Sequence, residues 1–157
     1  MEKRQEILLG QMRTYRMELL QLAKSFTEEE ADIIPQGFRN NVRWNLGHVF
    51  LDQYLWIQAL TKEEAPIPND FKEWFSYGTT PADFTDNTPT FTDLISLLQT
   101  QPDQIFEKYA DRMDEEYQAI DMGMETIEQV LVRTIFHEGM HLQAILDIKK
   151  ALNKKNR

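Results

Sequence analysis

The sequence predicts an all-α protein, a four-helix bundle folded as a single domain over residues 1–157. Three observations predict it. Four stretches of roughly 20 to 25 residues carry apolar side chains at spacings of three and four, the period of one helix face. No stretch alternates apolar and polar residues as a strand ladder would. A chain of 157 residues is long enough for one core that buries roughly two-thirds of the unfolded surface.

The first helix is expected from residue 2 to about residue 26, with Leu8, Met12, Tyr15, Leu19, Leu22 and Phe26 as its apolar face. Thr27 then opens a short turn through Glu28, Glu29 and Glu30, and Pro35-Gln36-Gly37 breaks the chain. Asn41 is a good N-cap for a second helix from Val42 to about Leu60. Val42, Leu46, Val49, Phe50, Trp56, Ile57 and Leu60 form one broad apolar face there, and Trp44, Leu51 and Tyr54 lie on other sides. A helix apolar almost all round is buried by more than one neighbour. It is expected at the centre of the fold or at a subunit interface.

Residues 61–89 hold four of the six prolines together with Phe71, Trp74, Phe75, Tyr77 and Phe84. So aromatic a segment is an ordered crossover rather than a disordered linker, with a short helix expected at Phe71 to Phe75. A third helix begins near Thr90, with Asp93 in its first turn. Its face is Leu94, Ile95, Leu97, Leu98, Ile105, Phe106, Tyr109 and Met113, and Pro102 is expected to kink or split it. Residues 111–125 are acidic. Thr126 caps the fourth helix, with Gln129 at the reciprocal capping-box position.

Composition narrows the function classes. Hydrophobic residues at 41% and charged residues at 27% are ordinary for a soluble globular chain. The longest apolar run is Tyr54 to Ile57, so no membrane partner is expected. The N-terminal run Met1-Glu2-Lys3-Arg4-Gln5-Glu6 has no secretory character, and a cytoplasmic location is expected. The absence of cysteine excludes disulfides, thiolate metal ligands and a cysteine nucleophile. A net charge of −9 repels phosphate backbones, and no nucleic acid partner is expected. The one basic cluster is Lys149, Lys150, Lys154, Lys155 and Arg157, which complements a helix C-terminus.

The chain has three histidines. His137 and His141 lie one helical turn apart on the face that also carries Ile127, Val130, Thr134, Ile145 and Ile148. They therefore point inward. A buried imidazole needs a partner at each ring nitrogen, and an inward pair at this spacing is half of a metal site. His48 lies on the second helix beside Asn45 and Asp52. Helix bundles build metal sites from side chains on facing helices. Three neutral imidazoles around one divalent ion leave open positions, which is the ligand set of a catalytic zinc site. Zinc and nickel both suit imidazole. Taken alone, His48 fits a surface or hydrogen-bonded residue. Asp52 fits a solvated carboxylate ahead of a fourth ligand or an acceptor for an imidazole N–H.

His137-Glu138-Gly139-Met140-His141 also matches the H-E-x-x-H pattern of zinc metallopeptidases, with Glu138 as general base. Only 16 residues follow His141 and none is Glu or His, so the downstream third ligand is missing. Ala144 stands where the metzincin extension needs glycine. A peptidase is the least favoured function. Two functions without catalysis also fit the pattern: a bundle that a metal ion only stabilises, and a dimeric binding protein.

The run Trp44-Asn45-Leu46-Gly47-His48-Val49-Phe50 resembles the second-helix motif of the DinB-like (damage-inducible) superfamily, and Phe136-His137-Glu138-Gly139-Met140-His141 resembles its H-x-x-x-H motif on the fourth helix. The order of the motifs and the long crossover between helices 2 and 3 also agree. The resemblance implies a DinB-like four-helix bundle with His48, His137 and His141 as a divalent metal triad, zinc or nickel as the ion, and a homodimer. It further implies a small-molecule substrate, with thiol S-transferases that use bacillithiol or mycothiol among the relatives. A low-molecular-weight thiol is thus the implied second cofactor. Many members follow the second histidine with Arg-Gly-Gln where this chain has Leu142-Gln143-Ala144, so no specific activity carries over. The expected function is that of a metal-dependent transferase or hydrolase.

Overall fold

The computed structural model describes residues 1–155. Among them there is no strand. Six α-helices follow in order: α1 Lys3–Ala23, α2 Glu28–Asp32, α3 Val42–Thr61, α4 Phe71–Phe75, α5 Phe91–Tyr109 and α6 Ile127–Lys155. Short 3₁₀ turns lie at Pro81–Asp83, Ala110–Arg112 and Asp121–Gly123. Four helices are long and two are single turns. α1 and α3 each pack against both α5 and α6, and the short α2 and α4 lie against α3.

The starts of these helices follow from local chemistry. Asn41 caps α3, its Oδ1 accepting from the Trp44 backbone N–H at 2.8 Å. Thr27 and Glu30 form a reciprocal capping box that turns the expected bend into the short α2. Thr90 and Asp93 do the same for α5, as do Thr126 and Gln129 before α6. α1 ends at Ala23, three residues short of the expected Phe26. Lys149 of α6 then donates to the Ser25 carbonyl at 2.6 Å and sits over the Phe26 ring. Part of the basic tail is thus used to close the end of α1. Arg157, also of that cluster, lies outside the described residues.

α3 is the central helix. Trp44, Leu51 and Tyr54, off its main face, are buried along with the rest. The crossover that follows is packed, with Phe71, Trp74 and Phe75 inside and Tyr77 fully in solvent. Arg43 fastens its far end to α3, donating to the carbonyls of Thr88 at 2.8 Å and Pro89 at 2.7 Å.

Two expectations need correction. Pro102 does not split α5, which runs through it from Phe91 to Tyr109. The missing N–H of Pro102 deprives the Leu98 carbonyl, one turn earlier, of its helical partner. Arg16 supplies the replacement, its Nη1 lying 2.8 Å from that oxygen. Arg16 is also the second correction. Tyr15, expected on the buried face of α1, is 41% exposed, whereas Arg16 is 1% exposed.

Candidate metal centre

The seam between α3 and α6 collects the three histidines. The Trp44–His48 run sets one side of it. The Trp44 indole stacks on the His48 ring, with centroids 4.8 Å apart and planes 9° from parallel. Its Nε1–H is anchored on the Thr79 hydroxyl at 2.9 Å. Gly47 lets the crossover come close: a Cβ there would stand 2.2 Å from the Phe75 ring. That approach brings the Phe75 carbonyl to 2.6 Å from His48 Nδ1. Asn45 Nδ2 donates to the Asn41 carbonyl at 2.7 Å, so Asn45 Oδ1 turns to His141 Nδ1, also at 2.7 Å. Asp52 Oδ2 lies 3.0 Å from His137 Nδ1.

These three contacts decide the tautomers. A backbone carbonyl, an amide oxygen and a carboxylate can only accept. Each Nδ1 therefore carries the proton, and each neutral ring offers its Nε2 lone pair. The rings converge: one ligating atom from each of His48, His137 and His141 lies within 4.8 Å of the other two. His137 Nε2 and His141 Nε2 are 3.1 Å apart. Imidazole nitrogens at about 2.0–2.1 Å from a tetrahedral ion stand about 3.4 Å from one another. Two lone pairs held that close repel unless a cation or a proton lies between them. The donor set fits a divalent ion.

Asp52 is not the solvated carboxylate expected from its position. It is half-buried, and Oδ2 is shared between His137 and the Arg133 guanidinium at 3.2 Å. Its other oxygen, Oδ1, accepts from Trp56 Nε1–H at 3.2 Å. Arg133 in turn lies over the Trp56 ring. Asp52 faces the Nδ1 edge of His137, which makes it an acceptor behind a ligand rather than a fourth ligand. Burial alone would raise its carboxyl, but the His137 hydrogen bond and the nearby Arg133 hold it below the ordinary aspartate value. Burial pushes His48 down. It pushes His141 down further, with help from the neighbouring His137 and His48, to about 3. Lowering a ring's pKa favours the neutral form, which is the form that binds a metal.

Glu138 has a different place from the one H-E-x-x-H implies. It is buried, and its two oxygens accept from Arg16 Nε at 2.6 Å and Arg16 Nη2 at 3.1 Å. Both are committed, so Glu138 is not free to serve as a base beside the imidazoles. Arg16 completes its set with the Leu98 carbonyl, Gln101 Oε1 at 3.0 Å and Gln53 Oε1 at 3.1 Å. Gln53 Nε2 reaches Thr134 Oγ1, and Gln101 Nε2 reaches the Phe50 carbonyl. All five guanidinium N–H groups are satisfied by α3, α5 and α6. Periodicity missed this cluster because arginine is normally an exposed residue. The available signal was its register: Arg16 stands four residues after Met12 and three before Leu19, inside the buried stripe.

Asn45 borders the site directly, through His141, and Tyr15 does not. Tyr15 lines a groove of about 510 Å³ between α1 and the outward side of α6, with Phe136, Gly139 and Leu142. None of the three histidines borders it.

A family model described as the DinB superfamily matches residues 11–145. The crystal structure of a conserved protein from Enterococcus faecalis superposes with a TM-score of 0.69, at 16% identity, covering 96% of this chain and 98% of that one. At that identity the likeness speaks for the fold alone. No curated protein matches the sequence. With the Trp44–His48 run and the His137–His141 pair both inside the matched span, the chain belongs to the DinB superfamily.

Proposed function

We propose that this protein is a metal-dependent enzyme acting on a small molecule, with one zinc or nickel ion held by His48, His137 and His141. In this account the four long helices are the four-helix bundle of the family, and the crossover with α4 is the element that orients His48. The supporting observation is the behaviour of the Nδ1 atoms. Three separate acceptors, the Phe75 carbonyl, Asn45 and Asp52, hold the Nδ1 atoms of three rings, and one ligating atom of each ring lies within 4.8 Å of the other two. A buried polar cluster with no ligand to hold would not need that arrangement.

An ion with three imidazole ligands retains open positions, where it polarises a bound group and lowers its pKa. A thiol of the bacillithiol or mycothiol class suits such a position, since coordination favours the thiolate, the form that attacks electrophiles. The chain has no cysteine of its own, so a thiol nucleophile has to come from a small molecule. A cytoplasmic homodimer is part of the proposal. Among the described residues no helix is long and apolar enough to cross a membrane. The outward side of α6 carries Val132, Phe136 and Met140 at successive turns, with Phe136 68% exposed, a surface suited to a second copy.

Elemental analysis of untagged protein tests the metal. About one zinc or nickel per chain is expected, with none in the His137→Ala/His141→Ala variant. Addition of a low-molecular-weight thiol to the cobalt(II)-substituted protein should produce sulfur-to-metal charge-transfer absorption. Absence of metal after reconstitution with both ions would overturn the proposal. A metal that no thiol, water or anion can approach would reduce it to a structural site.

A further inference from the structure

We propose that Arg16 is a positioning residue for the metal centre, a three-way clamp from α1 that sets the rotation of the two helices bearing the histidines. α1 supplies no candidate ligand, yet Arg16 holds both ligand-bearing helices at residues next to the histidine cluster. On α3 it holds Gln53, adjacent to Asp52. On α6 it holds Glu138, adjacent to His137, and through Gln53 it reaches Thr134, one turn before Glu138. Consecutive residues on a helix point about 100° apart. In each pair one side chain therefore faces the histidine cluster while its neighbour faces the guanidinium.

The magnitudes favour a positioning role. Metal–ligand distances tolerate about 0.2 Å. An imidazole nitrogen about 6.5 Å from its helix axis moves about 1.7 Å when the helix rotates by about 15°. Apolar volume and pattern alone can keep a core stable while leaving its arrangement less unique. A bidentate guanidinium–carboxylate pair at 2.6 and 3.1 Å in a buried site has one favourable geometry. The carbonyl freed by Pro102 and the Gln101 side chain hold the guanidinium from α5, so the clamp is referred to a helix outside the seam.

The proposal rests on the metal-binding function for its first readout and is independent of it for its second. Its test uses the charge-neutral variant Arg16→Met/Glu138→Leu, since buried ion pairs replaced by apolar volume commonly still fold. Cobalt(II) is the probe. The variant should keep parental helicity and cooperative unfolding, bind cobalt at least ten-fold more weakly and shift its visible absorption bands. In metal-free protein, long-range ¹H–¹⁵N spectra should show His137 losing its single Nδ1–H tautomer. An Arg16 that only stabilises the fold would change the unfolding temperature and leave bands and tautomers where they are. That result would overturn the proposal. If the double variant fails to fold, Glu138→Gln decides it, with shifted bands and tautomers expected and parental ones contradicting. If the parent binds no cobalt, the metal-binding function fails, and the tautomer comparison alone decides the role of Arg16.

Discussion

Two polar clusters lie side by side along α3 and α6, and they are satisfied in opposite ways. Around Arg16 every N–H donor meets a protein acceptor: Glu138, Gln53, Gln101 and the Leu98 carbonyl. Around the histidines the protein satisfies the Nδ1 atoms and leaves the Nε2 atoms of His137 and His141 facing each other. The first cluster needs no ligand to complete it. The second could hold a metal ion, and in the proposed function that ion completes it. Buried polar residues of similar exposure thus divide by whether their hydrogen bonding closes within the chain.

Breaking the closed cluster should cost the most stability. Arg16→Ala leaves the Glu138 carboxylate buried without a partner and strands three further acceptors. A loss of about 3–5 kcal/mol is expected, seen as a fall in Tm of about 10 °C or more. An unchanged melting curve would show that the pair is not buried as described. Gly47→Ala comes next, because the new methyl meets the Phe75 ring. Overpacking should cost about 1–3 kcal/mol. The displaced Phe75 carbonyl would also release His48, so metal affinity should fall along with stability. Calorimetry and a zinc titration on one preparation check both.

Asp52→Asn sharpens the comparison, since it touches only the open cluster. The fold should persist, while zinc affinity drops about 10- to 100-fold. Equal affinity would mean that the acceptor behind His137 is dispensable.

Near neutral pH the smallest effect is that of pH on the metal-free protein, and it grows as pH falls. His48 and His141 have lowered pKa values in the fold, so below about pH 6.5 the unfolded chain binds protons that the folded chain does not. Stability should be level above that pH and decline as pH falls toward 3. Each ring contributes at most about 1.4 kcal/mol per pH unit. The lowered Asp52 carboxyl adds stability that is present above its unfolded value and lost as pH falls through the folded one. Melting temperatures between pH 7.5 and 4.5 follow this, and His141→Gln should flatten the curve.

Much of the molecule was legible in the sequence. The caps at Asn41, Thr90 and Thr126, the short helix at Phe71–Phe75 and the burial of α3 on more than one side all followed from local chemistry and periodicity. The inward His137–His141 pair followed from spacing alone. The meeting of His48 with that pair rested on the resemblance, because nothing in one helix reports the rotation of another. Asp52 was misplaced in solvent for the same reason: four residues after His48, it faces either the seam or solvent depending on how α3 is turned. Arg16 and Glu138 were hidden by residue type. A search for polar residues inside apolar stripes would have found Arg16, Gln53, Gln101, Thr134 and Glu138 together, a set able to satisfy itself.

The central claim is that three imidazoles share one ion with room for another ligand. Zinc-edge X-ray absorption of the stoichiometric zinc protein tests it most directly. The account predicts three imidazole nitrogens at about 2.0–2.1 Å and a light-atom position that becomes sulfur at about 2.3 Å when a thiol is added. Fewer than three imidazoles, or a coordination shell that no added thiol alters, would contradict it.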